Sequence, residues 1–209
     1  MQALRNLYEE LIALYGYVVE AGLAFIKFRG WLCGRVATDP ELDIRDTLKV
    51  GKGNPNRAGA TYQYTTTPKQ LIDAFVKEGP YFQLLRKSAI ALAYAMWEDQ
   101  YRGKIAQECG MADKNEIKSD VFQDLNTYRQ AILHRSGKLG REPKVVRFFN
   151  KGDTVSFTVD HMEELFSSLI DELNRIGKTY YKEDLQFSFH KPVDQAGVTY
   201  YQRGPLDLA

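Results

Sequence analysis

The chain has 209 residues, 44% of them apolar and 26% charged, a composition that suits one ordinary globular domain with a sizeable core and excludes a disordered tail. Its 28 Lys and Arg against 27 Asp and Glu leave a net charge of +1, so a nucleic-acid binder relying on bulk polybasic attraction is excluded while a local basic patch is not. Two cysteines, Cys33 and Cys109, have neither metal-ligand spacing nor a partner motif, and a disulfide scaffold is out.

Met1 to Glu10 is amphipathic and acidic, without the basic start or small-residue cleavage site of a leader. The longest apolar run, Ala89 to Trp97, falls far short of the roughly 20 residues a bilayer span needs. The expectation is a cytoplasmic protein with no membrane partner. Leu4, Leu7, Leu11, Leu14 and Val18, extended by Leu23, Phe25 and Ile26, predict one long helix from Gln2 to about Arg29. A helix of that length, roughly 40 Å at 1.5 Å per residue, would turn part of its apolar surface toward a second chain.

Residues 30–67 read as a long glycine-rich loop insertion, with Gly51, Gly53, Asn54, Pro55, Asn56 and Gly59 ahead of Tyr62 and Tyr64, and only a weak hairpin signal. Lys49, Lys52 and Arg57 with the two tyrosines would suit a single-stranded nucleic acid, but an ordinary solvated loop is the favoured reading. Thr67 and Pro68 cap and open a helix, Gly79-Pro80 interrupts, and a second long helix runs from about Tyr81 to Glu108, closed by Gly110. Its centre, Ala89 to Trp97, is apolar on every side and predicts neighbours all round. A third helix spans about Asn115 to His134. A β-hairpin is expected over Val145–Phe149 and Thr154–Thr158 around Asn150-Lys151-Gly152-Asp153. Asp160, with Glu163, would cap a last long helix from His161 to about Lys178, and residues 180–209 are expected to be an irregular tail.

No phosphate loop, His-Glu-x-x-His, cysteine pair or nucleophile elbow occurs, and the three histidines are too scattered for a metal site, so no metal or cofactor is expected. What remains is the third helix, which carries Asn126, Arg129, Gln130 and His134. Gln130 and His134 stack four residues apart, whereas Arg129 and His134 stand about 140° apart around the axis and need arginine's long stem to meet. Histidine moves protons near neutral pH, and arginine offers a permanently charged fork to phosphate oxygens. Together they suit cleavage of an RNA phosphodiester without metal. The bland alternative is an Arg and a His that simply complement the helix dipole. Arg135, Lys138 and Arg141 make the neighbourhood basic and are candidate RNA-phosphate contacts.

This stretch resembles the signature of the HEPN superfamily (higher eukaryotes and prokaryotes nucleotide-binding): Arg129, a polar residue, three residues, then a helix-ending His134. The Asp124-Leu125 entry, the Ala93-Tyr94-Ala95-Met96-Trp97-Glu98-Asp99-Gln100-Tyr101 run, the Phe148-Phe149-Asn150-Lys151-Gly152-Asp153 segment with Val155, and Met162-Glu163-Glu164-Leu165 are similar to bacterial members. The likeness covers about residues 81–178. The family most often carries Asn, Asp or His after the arginine, where this chain has Gln130.

The resemblance implies a mainly α, HEPN-like helical bundle forming a single domain over 1–209. It also implies a homodimer whose shared cleft holds both Arg129/His134 pairs, in a bacterial defence or toxin–antitoxin setting with an antitoxin or other partner protein. Gln130, Glu98 and Asn126 are the supporting residues, although the Glu98–Arg102 spacing also suits a plain i, i+4 ion pair. Trp97 is expected in the core, and His161 and His190 are expected to be structural or surface groups. Two readings compete with the ribonuclease: a catalytically inactive HEPN module that binds nucleotide, RNA or a protein, and a helical scaffold with no nucleic-acid role.

Overall fold

A computed structural model describes residues 1–39, 42–52 and 61–190, and these are mainly helical. The described residues form two compact units: one built from residues 1–18 and 84–190, the other from residues 19–83. Arg129 and His134 lie in the first unit. Of the loop expected at 30–67, residues 40–41 and 53–60 lie outside the described residues, as does the tail beyond residue 190.

Helix α1 spans Gln2–Thr38, nine residues beyond the predicted end at Arg29. Gly30 and Gly34 do not stop it, since an isolated helical glycine costs only about 1 kcal/mol relative to alanine. By length and composition α1 would also cross a membrane. Its first half, however, buries Leu4, Leu7, Leu11, Leu14 and Val18 in the core of the first unit. In the second unit α1 packs Phe25 against Phe75 and Phe82, and Arg29 Nε donates to the Ile72 carbonyl at 3.3 Å. Tyr17, Val19, Leu23, Phe28 and Trp31 on α1 stay exposed. The insertion contains an antiparallel pair, β1 (Leu48–Lys52) and β2 (Thr61–Thr66), with a register shift between Val50 and Gly51. Thr67 caps α2 (Pro68–Ala74) as expected, in a reciprocal box with Gln70.

The second long helix is three pieces: α3 (Pro80–Ala95), one wide π turn (Met96–Tyr101) and α4 (Arg102–Glu108). The bond from the Arg102 N–H to the Trp97 carbonyl spans five residues and marks the insertion. The centre of this helix does not have neighbours on every side. Ala89, Ile90, Ala93 and Trp97 face the core, while Leu92 is 52% exposed. A run of small apolar residues says nothing about which side is covered; the 3–4 spacing of the larger ones does.

Helix α5 (Asp120–His134) starts at a Ser119 cap, preceded by a short 3₁₀ turn (Lys114–Glu116), and buries Val121, Phe122, Asp124, Leu125, Tyr128 and Ala131. The hairpin expected at 145–158 does not form. The Asp124 carboxylate takes the backbone N–H groups of Lys144, Val145 and Val146, which a strand would need, and Tyr128 donates to the Val146 carbonyl at 2.5 Å. Residues 145–149 are thereby laid along α5. The return segment pairs instead with 137–139, through Leu139 N to Asp153 O at 2.9 Å and Val155 N to Gly137 O at 2.8 Å. The last long helix, α6, spans Val159–Ile176 and is capped by Thr158 with His161, not by Asp160 with Glu163, because the chain turns helical two residues sooner. A π turn, Gly177–Tyr181, follows, so the first two residues of the tail expected at 180–209 are still helical, residues 182–190 carry no helix or strand, and the rest lies outside the described residues.

Candidate functional site

The buried stripe of α5 fixes the outward stripe. With Asp124 and Tyr128 tied inward to the 144–148 segment, Asn126, Gln130 and Leu133 fall on the opposite side by helical periodicity, within about 60° of one another. Leu133 is 51% exposed, Asn126 and Gln130 are half-buried, and Arg129, also half-buried, stands on one flank of this stripe. His134 is the last helical residue, exposed at the negative end of the helix dipole.

Two of the predicted supporting residues meet. Glu98, on the π turn, and Asn126 line one cleft of about 250 Å³ with Tyr94, Trp97, Arg102, Ile117 and the start of α5. The π turn shifts the helix register here, directing Trp97 inward to stack on Phe122 at 4.1 Å while Glu98 stays on the cleft wall. Trp97 is thus a core residue that also backs the cleft.

Glu98 is bridged by Arg102 and by Lys114, both at 2.9 Å. Burial works against its ionisation, but hydrogen bonds from Lys114 and Arg102 outweigh it and hold the carboxyl below its ordinary value. The Glu98–Arg102 pair expected from spacing is present, with Lys114 as an unforeseen third member. Arg102 Nε and Asn126 Oδ1 are both buried and find no hydrogen-bond partner among the described residues.

Arg129 reaches the same cleft indirectly. Its guanidinium carbon lies 5.4 Å from the centre of the Tyr94 ring, a cation–π contact on the cleft wall. Burial raises the Tyr94 hydroxyl above its ordinary value and Glu98 adds to this, while Arg129 and Arg102 oppose it. Tyr94 is the residue that sequence reasoning underweighted. It stands four residues before Glu98, a spacing that puts both on one helical face, which is the signal that could have found it.

His134 is not part of the cleft lining, and no hydrogen bond or ion pair to its side chain occurs among the described residues. The three basic residues beyond it differ in role. The Arg135 guanidinium lies across Gly140, where an added Cβ would collide with Nη1. Lys138 is exposed, and its backbone bridges to Thr154. Arg141 braces α5, donating from Nε to Thr127 Oγ1 at 2.6 Å and from Nη2 to the Gln123 carbonyl at 3.1 Å. Tyr62 and Tyr64 of the other unit are exposed, and Lys49, Lys52 and Arg57 offer no described side chains. His161 is structural: its Nδ1 accepts from the Thr158 N–H, and its ring stacks on Phe148 at 4.6 Å. Among the described residues no three His, Cys, Asp or Glu side chains gather where a metal ion would be held.

Comparison of the chain with family models, with curated proteins and with solved structures finds no match in any of the three.

Proposed function

We propose that the protein is a metal-independent endoribonuclease of the HEPN type, with Arg129 and His134 as its catalytic residues and no cofactor. The observation that carries this reading is the place of Arg129. Its permanent cation stands half-buried over Tyr94 at the edge of a cleft whose walls also bear Arg102, Lys118 and Asn126. That is a setting for one phosphate group rather than for a long polyanion, in keeping with a net charge of +1.

In the reaction, His134 takes the proton from a ribose 2′-hydroxyl and the 2′-oxygen attacks phosphorus. Arg129 stabilises the charge gathering on the phosphoryl oxygens. The bond to the 5′-oxygen breaks, leaving a 2′,3′-cyclic phosphate, and the departing oxygen takes a proton from a second donor, assigned to His134 of a second copy. Gln130, Glu98 and Asn126 act in support, Glu98 by fixing Arg102 and Lys114 beside the cleft. Arg135, Lys138 and Arg141 are offered as RNA contacts, with Arg141 limited to the donors it does not already direct at Thr127 and Gln123. A cytoplasmic defence or toxin–antitoxin role, with an antitoxin or similar partner protein, belongs to the same reading.

The test is RNA cleavage in EDTA, with cyclic-phosphate ends, abolished by Arg129→Ala and by His134→Ala in proteins that keep their helical content. Undiminished cleavage by the His134→Ala protein would sink it. One observation favours a second reading, a non-catalytic HEPN module: no partner orients His134 among the described residues, whereas a base is ordinarily held by a further group. RNA binding without cleavage, indifferent to both substitutions, is the result that reading requires.

A further inference from the structure

Beyond Val18, α1 has one covered face and one open one. Gly22, Phe25, Arg29 and Leu32 point toward the rest of their unit: a Cβ on Gly22 would meet Phe82 at 3.2 Å, and Leu32 is 3% exposed. On the next face round the helix lie Val19, Leu23, Ile26 and Gly30, at steps of four, three and four, the spacing of a two-helix seam. Val19 is 36% and Leu23 40% exposed, and a Cβ on Gly30 would meet nothing within 4 Å. Along the edge of this face stand Glu20 and Lys27, both exposed and neither paired among the described residues.

We infer that this face is a self-association surface on which two copies of the chain pair their α1 helices antiparallel. The charges choose the arrangement. Glu20 and Lys27 are seven residues apart, so they lie about 10.5 Å apart along the helix and within about 20° around it. A twofold axis beside Leu23 and Ala24 brings Glu20 against Lys27 of the second copy, and Lys27 against its Glu20. A parallel pairing forms neither contact, because its twofold axis runs along the helices and carries the charged edges of the two copies to opposite sides of the seam. Leu23 and Ile26 fill the centre, and Gly30 faces Val19 of the other copy, where the absent side chain lets the helices approach. A membrane is the weaker occupant. The first half of α1 belongs to a protein core, and Glu20, Lys27, Arg29 and Arg35 interrupt the rest.

This surface does not depend on the ribonuclease reading, and a dimer formed through α5 would ignore it. Sedimentation equilibrium of the full chain over a concentration series tests it. Leu23→Arg should weaken association about tenfold or more. Glu20→Lys and Lys27→Glu should each weaken it about twofold to fivefold, and the doubly exchanged chain should recover to within about twofold of the parent. Gly30→Leu should raise the melting temperature at low concentration yet weaken association, opposite signs that a purely structural role would not produce. Helical circular dichroism of Leu23→Arg should be unchanged, since Leu23 is exposed. A parent chain monomeric throughout, a dimer untouched by Leu23→Arg, or a double exchange worse than either single one overturns the inference. So does a monomer that binds vesicles of mixed neutral and anionic phospholipid through Leu23.

Discussion

Replacing Asp124 with alanine should be among the most damaging single changes in the α5 region. The carboxylate is 2% exposed and accepts from Lys144 N at 2.8 and 2.9 Å, Val145 N at 2.6 Å and Val146 N at 3.1 Å. Val146 is itself buried, so its N–H would be left without water or protein, at about 1–3 kcal/mol. Residues 144 and 145 are exposed, so their N–H groups would recover water and lose only the charge-assisted part of their bonds, about 1 kcal/mol between them. The sum is about 3 kcal/mol, or roughly 10 °C in melting temperature. Asp124→Asn keeps one accepting oxygen but turns its NH₂ toward the same donors, and should fall about midway. Tyr128→Phe removes the hydroxyl that donates to Val146 O and accepts from Phe148 N, and so shares the segment. The double variant should therefore lose less than the two single losses combined. Urea unfolding followed by far-ultraviolet circular dichroism measures all three. A loss below about 1 kcal/mol for Asp124→Ala, or strict additivity with Tyr128→Phe, would refute the view that this carboxylate anchors the segment.

Tyr94→Phe keeps a ring under Arg129 and should leave RNA cleavage within about threefold, while Tyr94→Leu should lower kcat about tenfold by releasing the guanidinium, a worth of roughly 1 kcal/mol. Equal effects from the two would remove Tyr94 from any positioning role. For Glu98→Gln the sign follows from a carboxyl held below its ordinary 4.5. Its stabilisation is present above that value and is lost as pH falls below it through the lowered folded value. The parent should thus exceed the variant by about 1 kcal/mol at neutral pH and lose that margin in acid, as read from urea unfolding at a series of pH values. Gly137, at φ +83°, closes the turn after α5; Gly137→Ala should cost about 1 kcal/mol through the backbone alone, because Thr154 Cγ2 would stand at an ordinary 3.5 Å.

How far the fold was legible follows from which interactions are local. Thr67-Pro68 opens α2 as read, because a cap and its N–H partner lie three residues apart and need nothing else. The stripe Leu4, Leu7, Leu11, Leu14 and Val18 marks the buried face of α1 for the same reason. The hairpin fails on a long-range competitor. Asn150 to Asp153 does form a turn, with Asp153 N bonded to Asn150 O at 3.1 Å, but its leading strand is claimed by a carboxylate twenty residues upstream. Turn chemistry predicts turns; it does not decide what their flanks pair with.

The candidate site shows the same division. Helical spacing alone puts Asn126 and Gln130 on one face of α5, and the packing of Asp124 and Tyr128 determines that this face looks outward. Nothing in the spacing could reveal that Glu98 is held by Lys114 as well as Arg102, because that contact joins the π insertion at Met96–Tyr101 to the 3₁₀ turn at Lys114–Glu116 across the whole of α4. The insertion has the more general consequence. A wide turn lies in the wall of the cleft, next to two buried polar atoms without partners among the described residues, Arg102 Nε and Asn126 Oδ1. Local irregularity and unmet hydrogen bonding are costs that a purely structural helix pair would be expected to avoid. They adjoin Glu98 and Asn126 at the start of α5, whereas His134 ends that helix outside the cleft lining, so chemistry through both places has to be carried by Arg129 over Tyr94.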